Sequence, residues 1–345
     1  MDIRDALSGI EDEMDILFSL FLGTPIWMWA GFIILVCGLL AFDLGVLHKG
    51  NTEIGVNESL KLSAFYVTLG LGFSGFVWSQ LGPTAATEYL TAFVVEKSLA
   101  LDNIFVIALI FGFFAIPRAL QHRVLFWGIL GVIILRAIMI GFGAALVSQY
   151  SWVLYIFAVF LVLTGIKMLW LGEKEFDLAE NPLLRLIRRR FRVTDRLHGN
   201  AFFVRLPDPE TGKTFAYMTP LMLALILIEV ADILFAVDSV PAVFTISTDP
   251  FIVYTSNIFA ILGLRALYFA LAAILHRFAY LKQALAVLLI FIGSKIFVAD
   301  ALGWEKFPAS WSLIITFTIL AAGLIWSVWK TREKQDLPQQ LRGRP

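Results

Sequence analysis

Nine stretches of this chain are apolar and long enough to cross a lipid bilayer, and this constrains the fold more than any other feature. A hydrocarbon core about 30 Å thick needs roughly 20 residues of helix. Inside it every backbone polar group must be satisfied within the protein, so the runs predict helices rather than loops or open sheet. They fall near 26–47, 62–81, 88–115, 123–148, 152–171, 219–246, 251–275, 282–300 and 309–329. Charged residues make up 16% of the chain, against roughly 25% in soluble domains, and mean hydropathy is +0.82. The expected fold class is an all-α polytopic membrane protein. Gly82-Pro83, Pro117, Thr219-Pro220, Asp249-Pro250 and Pro308 punctuate the spans, with Thr219 placed as a helix N-cap and Pro220 as the first helical residue.

The basic residues set the expected orientation. Segments following odd-numbered spans hold Lys49, Lys61, Arg118 and Arg123. They also hold nine basic residues from Lys174 to Lys213, then Arg277 and Lys282, and finally Lys330, Arg332, Lys334, Arg342 and Arg344. That is 20 of the 27, while the opposite side carries only Arg4 and Lys306. The positive-inside rule then puts the N-terminus outside and the C-terminus in the cytoplasm; the expected location is a bacterial inner membrane. The expected organisation is an acidic outer segment 1–25, spans over 26–171, a basic cytoplasmic loop 172–217, spans over 218–330 and a cytoplasmic tail 331–345. Anionic lipid is a sufficient partner for the basic loop, and no nucleic acid is needed to explain it.

An internal repeat carries the remaining charges. The third span reads Glu96-Lys-Ser-Leu-Ala-Leu-Asp102-Asn103, and the sixth reads Asp232-Ile-Leu-Phe-Ala-Val-Asp238-Ser239. The next span of each unit has a central arginine, Arg136 or Arg265. The one after has Gly-x-Lys, as Gly165-Ile-Lys167 and Gly293-Ser-Lys295. Each unit, 88–171 and 219–300, has three spans, so the copies must insert in opposite senses. Secondary transporters share this plan, with substrate sites near the midplane between the repeats.

The sense of the spans orders the acids as a ladder: Glu229 and Asp232 inward, Asp102 and Asp238 between, Glu96 outward. On a straight helix Glu96 and Asp102 would stand about 9 Å apart. Pro241 removes one N–H and predicts a broken helix, with the Val237 carbonyl freed beside Asp238. Intramembrane carboxylates are costly, and mark ion pathways or tight pairs. The basic residues fit pairing roles better: Arg136 and Arg265 hold acids in place, while Lys167 and Lys295 reach toward the interface. Asp43, at the inner end of the first span, suits an interfacial carboxylate or a ligand.

Ligand chemistry narrows the substrate class. Glu96, Asp102, Asn103, Glu229, Asp232, Asp238 and Ser239 offer hard oxygen donors, suited to Mg²⁺, Ca²⁺ or Mn²⁺. The four histidines lie at loops or span ends and Cys37 is the single cysteine. Neither a zinc site nor a disulfide is expected. No nucleophile triad, phosphate loop or redox motif is present, so an enzyme is not expected, nor a resident cofactor.

At its two acidic helices the sequence resembles the TerC/Alx family, in the wider group that includes the LysE exporters. The carrying residues are Glu96-Lys-Ser-Leu-Ala-Leu-Asp102-Asn103-Ile-Phe-Val and Glu229-Val-Ala-Asp232-Ile-Leu-Phe-Ala-Val-Asp238-Ser239-Val-Pro241-Ala. Leu-Arg136-Ala-Ile-Met, Thr-Gly165-Ile-Lys167-Met and Thr255-Ser-Asn257-Ile-Phe-Ala-Ile-Leu-Gly-Leu-Arg265-Ala support it. The resemblance covers roughly 26–330. It implies Mn²⁺ export from the cytoplasm, with Glu96, Asp102, Glu229, Asp232 and Asp238 as transport residues; Ca²⁺, Mg²⁺ and Fe²⁺ stand beside it as alternative cargoes. Protons are the expected counter-ion. Two other readings stand beside it: an assembly or metalation factor with membrane-protein partners, and a tellurite-resistance protein handling an oxyanion. A homo-oligomer is compatible with each.

Overall fold

The fold comes from a computed structural model that describes residues 17–47, 56–171, 182–207, 213–271 and 281–336. The acidic residues of the first segment, from Asp2 to Asp15, lie outside the described residues, as does most of the tail. A short hairpin, β1 (Leu20–Phe21) with β2 (Thr24–Pro25), leads into α1 (Ile26–Leu47). Then come α2 (Val56–Phe113), α3 (Arg118–Gln149), α4 (Val153–Leu171) and the short α5 (Pro182–Arg190). A second hairpin, β3 (Phe203–Pro207) with β4 (Thr214–Met218), precedes α6 (Pro220–Ile246), α7 (Pro250–Ile261), α8 (Leu264–Leu271), α9 (Leu281–Ala301) and α10 (Ala309–Asp336).

Among the described residues seven helical segments are long and apolar enough to span a membrane: Ile26–Asp43, Arg118–Gln149, Val153–Trp170, Pro220–Ile246, Pro250–Leu271, Gln283–Ala301 and Ala309–Ser327. They coincide with seven of the nine expected spans. The other two are the halves of α2, whose 58 residues bend where Gly82 adopts φ 87°. The second half carries Glu88, Glu96, Lys97 and Asp102, which lower its hydropathy without breaking the helix. Large apolar side chains face outward along the bundle, including Ile34, Phe142 and Trp170, as lipid-facing surfaces require.

The repeat is visible in the packing. The second half of α2, α3 and α4 form one unit; α6, α7–α8 and α9 form the other. α3 packs on α6, α2 packs on α7 and α8, and α4 pairs with α9. The first helix of each unit therefore meets the second helix of the other, and the third helices meet each other.

One symmetry breach matters. α3 runs unbroken through Arg136, whereas its counterpart is interrupted between α7 and α8 at Leu262-Gly263, where Gly263 adopts φ 79°. The expected break at Pro241 is not there. α6 continues as helix from Pro220 to Ile246 with Pro241 inside it. A proline in a tightly buried helix forfeits one hydrogen bond without ending the helix, and the residues from Ser239 to Ile246 are all buried.

The capping differs from expectation. Asp249 caps α7, accepting from the Phe251 N–H at 2.8 Å. Thr219 precedes Pro220 as expected, but its hydroxyl turns back to donate to the Ala201 carbonyl at 2.7 Å. The described part of the basic loop is ordered rather than a plain connector. Leu184 and Ile187 of α5 pack with Phe114 and Leu223, at the ends of α2 and α6.

Candidate functional site

Arg136 stands at the centre of the interface between the repeats, 1% exposed. It projects from α3, which packs on α6, and reaches side chains of both α2 and α6. Its Nη1 is ion-paired to Glu96 Oε1. Its Nε donates to Asp232 Oδ2 at 3.2 Å and its Nη2 to Asp232 Oδ1 at 3.1 Å, a bidentate grip of the kind that makes arginine the preferred partner of carboxylates. Nη1 also donates to Ser239 Oγ at 2.9 Å and lies 3.4 Å from Asn257 Oδ1. Asn103 Nδ2 donates to Asp232 Oδ1 at 3.1 Å. One guanidinium thus ties together two carboxylates from oppositely inserted helices.

This geometry corrects the ladder. Glu96 and Asp232 do not occupy separate rungs: they flank the same guanidinium. Glu229 stands apart from this network, its carboxylate packed against Gly131 of α3, where any side chain would collide with it. Glu229 Oε2 is buried without a partner, as are Glu96 Oε2 and Asn257 Nδ2. Buried polar atoms are ordinarily hydrogen-bonded, so each of these retains the capacity for a further partner. The helical backbone carries Asp102, but its side chain lies outside the described residues.

Two cavities flank the network. One of about 60 Å³ is lined by Asn103, Arg136, Thr164, Asp238, Ser239 and Leu289. Another of about 20 Å³ is lined by Asn103, Gly128, Ile228, Asp232, Phe235 and Leu264. Both touch Asn103 and Phe235, and the larger has room for water or a partly hydrated ion. Asp238 and Thr164 line the first cavity together, with Lys167 close enough to act on Asp238 through its charge. It is only part-buried and stands outside the Arg136 network. Among the described residues no three His, Cys, Asp or Glu side chains converge as a metal group. A cation here would be held by a mixed set of carboxylate, amide and hydroxyl oxygens.

The other expected charge partners fall elsewhere. Asp43, the last residue of the first apolar segment, is not among the partners of Arg136. It is buried, with Oδ1 2.5 Å from Arg265 Nη2, which also donates to the Asp43 carbonyl at 3.1 Å. Lys97 donates to the carbonyls of Ala260 and Leu262 at 2.9 and 3.3 Å, closing the end of α7. Lys167 is exposed, in keeping with a side chain that reaches outward. Lys295 does not reach the surface: it is 5% exposed, near the Glu88–Lys306 pair at 2.5 Å. Asn257 and Thr164 were missed as site residues. Asn257 lies within a stretch that carried the family resemblance, which was the available signal; Thr164 had none beyond standing beside Gly165.

Fold and site together define a polytopic membrane protein built on an inverted repeat, with acids from both repeats meeting inside the bundle. The chain belongs to the TerC family: the profile described as "Integral membrane protein TerC family" matches residues 81–335. It is 47% identical over 300 residues to an uncharacterized membrane protein of Rickettsia bellii, covering 87% of this chain and 96% of that one. It is 44% identical over 310 residues to the uncharacterized membrane protein STKORF319 of Myxococcus xanthus, covering 90% and 94%. A relative in Escherichia coli K12, provisionally named membrane-bound redox modulator Alx, is 44% identical over 316 residues, covering 89% and 95%. No solved structure matches the chain.

Proposed function

We infer that the protein is a secondary transporter moving a divalent cation, Mn²⁺, out of the cytoplasm in exchange for protons. The observation that carries this reading is the joining of Glu96 and Asp232 across the repeat interface by Arg136, beside a polar cavity lined by Asp238. The guanidinium occupies the space between two carboxylates that a cation would otherwise fill. It serves as their counter-ion while cargo is absent.

In this mechanism the cation enters the cavity beside Asp238, Ser239 and Asn103, shedding water for hard oxygen donors. Glu229, with one carboxylate oxygen unmatched, supplies the next acid toward the cytoplasm. Carboxylates that release a cation take up protons, which couples export to proton entry without a separate site. Resident cofactor and catalysis have no part in the reading, and the matched family's description names no reaction. The redox role in the name of the Escherichia coli relative finds no dithiol here, since Cys37 is the single cysteine. The reading keeps the N-terminus outside and the C-terminus in the cytoplasm of a bacterial inner membrane.

The test is Mn²⁺ efflux from loaded cells. Asp238→Asn should abolish efflux while protein levels stay unchanged, and unaltered efflux would remove Asp238 from the path.

A further inference from the structure

We propose that Arg265 is the exchange partner of Arg136: it is parked on Asp43 in the conformation described, and it takes over Glu96 and Asp232 when the bundle opens to the opposite face. The proposal rests on the transporter reading and adds to it the residues that set which face is open.

Four observations converge on it. Arg136 and Arg265 occupy the same place in the two repeats, yet their partners differ. Arg136 grips the acids of both repeats, while Arg265 reaches away to α1, which belongs to neither. Arg265 is also incompletely paired there. It is 1% exposed, and its Nε and Nη1 are buried without a hydrogen-bond partner. Two idle donors on a buried guanidinium are costly, and they suit a side chain that is fully paired in another conformation.

The helices differ in the same sense. The helix of Arg136 is continuous, while that of Arg265 is interrupted two residues earlier at Gly263, which lies against Tyr66 and leaves no room for a Cβ. Lys97 holds the carbonyls of Ala260 and Leu262 at this break. In an inverted repeat, exchanging the two units' conformations produces the opposite-facing state from the one observed.

The cavities agree. The smaller one lies in the half of the bundle that the charge rule assigns to the cytoplasm, where Ile228 and Leu125 line it. The repeat counterparts of those residues are Ala92 and Tyr254. Ala92 is 0% exposed, and the Tyr254 hydroxyl bonds the Ala137 carbonyl. The outer half is further sealed by Phe244, whose ring fills the space over Gly143. Exchange would open a cavity beside Ala92 and Tyr254 and close the one beside Ile228 and Leu125.

The experiment uses the full chain in a Cys37→Ser background, with Ala92→Cys as reporter and a membrane-impermeant maleimide added from the outer face without metal. The reporter should be protected in the parent. Asp43→Asn, which removes the parking site, should raise its labelling at least tenfold, and adding Arg265→Gln should abolish the gain. Lys97→Gln, which releases the break, should raise labelling as well, and it gives an independent reading if Asp43→Asn fails to fold. Continued protection in the folded variants, or a gain that persists without Arg265, would overturn the exchange. Because labelling is read without cargo, that result would leave Mn²⁺ transport standing. Absent Mn²⁺ flux with the predicted labelling would instead refute the cargo and leave the exchange in place.

Discussion

Gly165 and Gly293 hold α4 and α9 together, each lying against the backbone of the other's helix. A Cβ on Gly165 would sit 2.6 Å from the Ala286 carbonyl oxygen, and a Cβ on Gly293 would sit 2.5 Å from that of Ala158. The contact is reciprocal, so it places the third helices of the two repeats about a local two-fold axis. Small residues that let backbones touch in this way are a common means of packing helices in membranes. Lys167 and Lys295 follow two residues behind these glycines, which sends them toward opposite ends of the pair.

Gly165→Ala and Gly293→Ala should each destabilise the protein by about 1–3 kcal/mol, because the helices must separate to admit the methyl group. Gly38→Ala, where a Cβ meets nothing within 4 Å, should be near neutral. Unfolding of the purified variants in detergent reads the difference.

Arg136→Gln would leave Glu96 and Asp232 buried without their counter-ion. Breaking a buried ion network from one side costs about 3–5 kcal/mol. The double variant Arg136→Gln/Glu96→Gln should recover part of that loss, since residues of one network do not behave additively. A double-mutant cycle on unfolding free energies measures the coupling.

Asp238 and Glu96 should separate transport from stability. Asp238 lines the cavity outside the Arg136 network, so Asp238→Asn should lose Mn²⁺ efflux while changing stability by about 0.5 kcal/mol or less. Glu96→Gln removes an ion pair that holds the repeats together, and it should lose both. Parallel efflux and unfolding measurements distinguish the two behaviours.

Asp249→Ala removes the cap on α7 and leaves the Phe251 N–H without its acceptor. The expected cost is about 1 kcal/mol, with Mn²⁺ efflux retained, because Asp249 is remote from the Arg136 network. A helicity melt alongside the efflux assay checks both parts.

The fold and the acids were legible in different degrees. Apolar runs and their punctuation gave the helices, because burial of backbone in lipid permits little else. The repeat was readable from the paired acid, arginine and Gly-x-Lys positions. What the sequence could not show was which charge meets which. Arg136 contacts residues 40 and 96 positions away, and those pairings depend on how three helices cross. The same limit explains the ladder, where the sequence orders the acids along each helix but leaves the offset between helices free. The interruption was assigned to Pro241 on local chemistry, yet dense packing keeps that helix whole. Gly263 breaks its own helix instead, with a positive φ and the Tyr66 ring against it.

Mn²⁺ flux in proteoliposomes with an imposed pH gradient tests the central claim most directly. The account predicts Mn²⁺ movement coupled to the proton gradient, reduced by competing hard divalent cations and lost in Asp238→Asn. No flux through folded wild-type protein, or equal flux through folded Asp238→Asn, would contradict it.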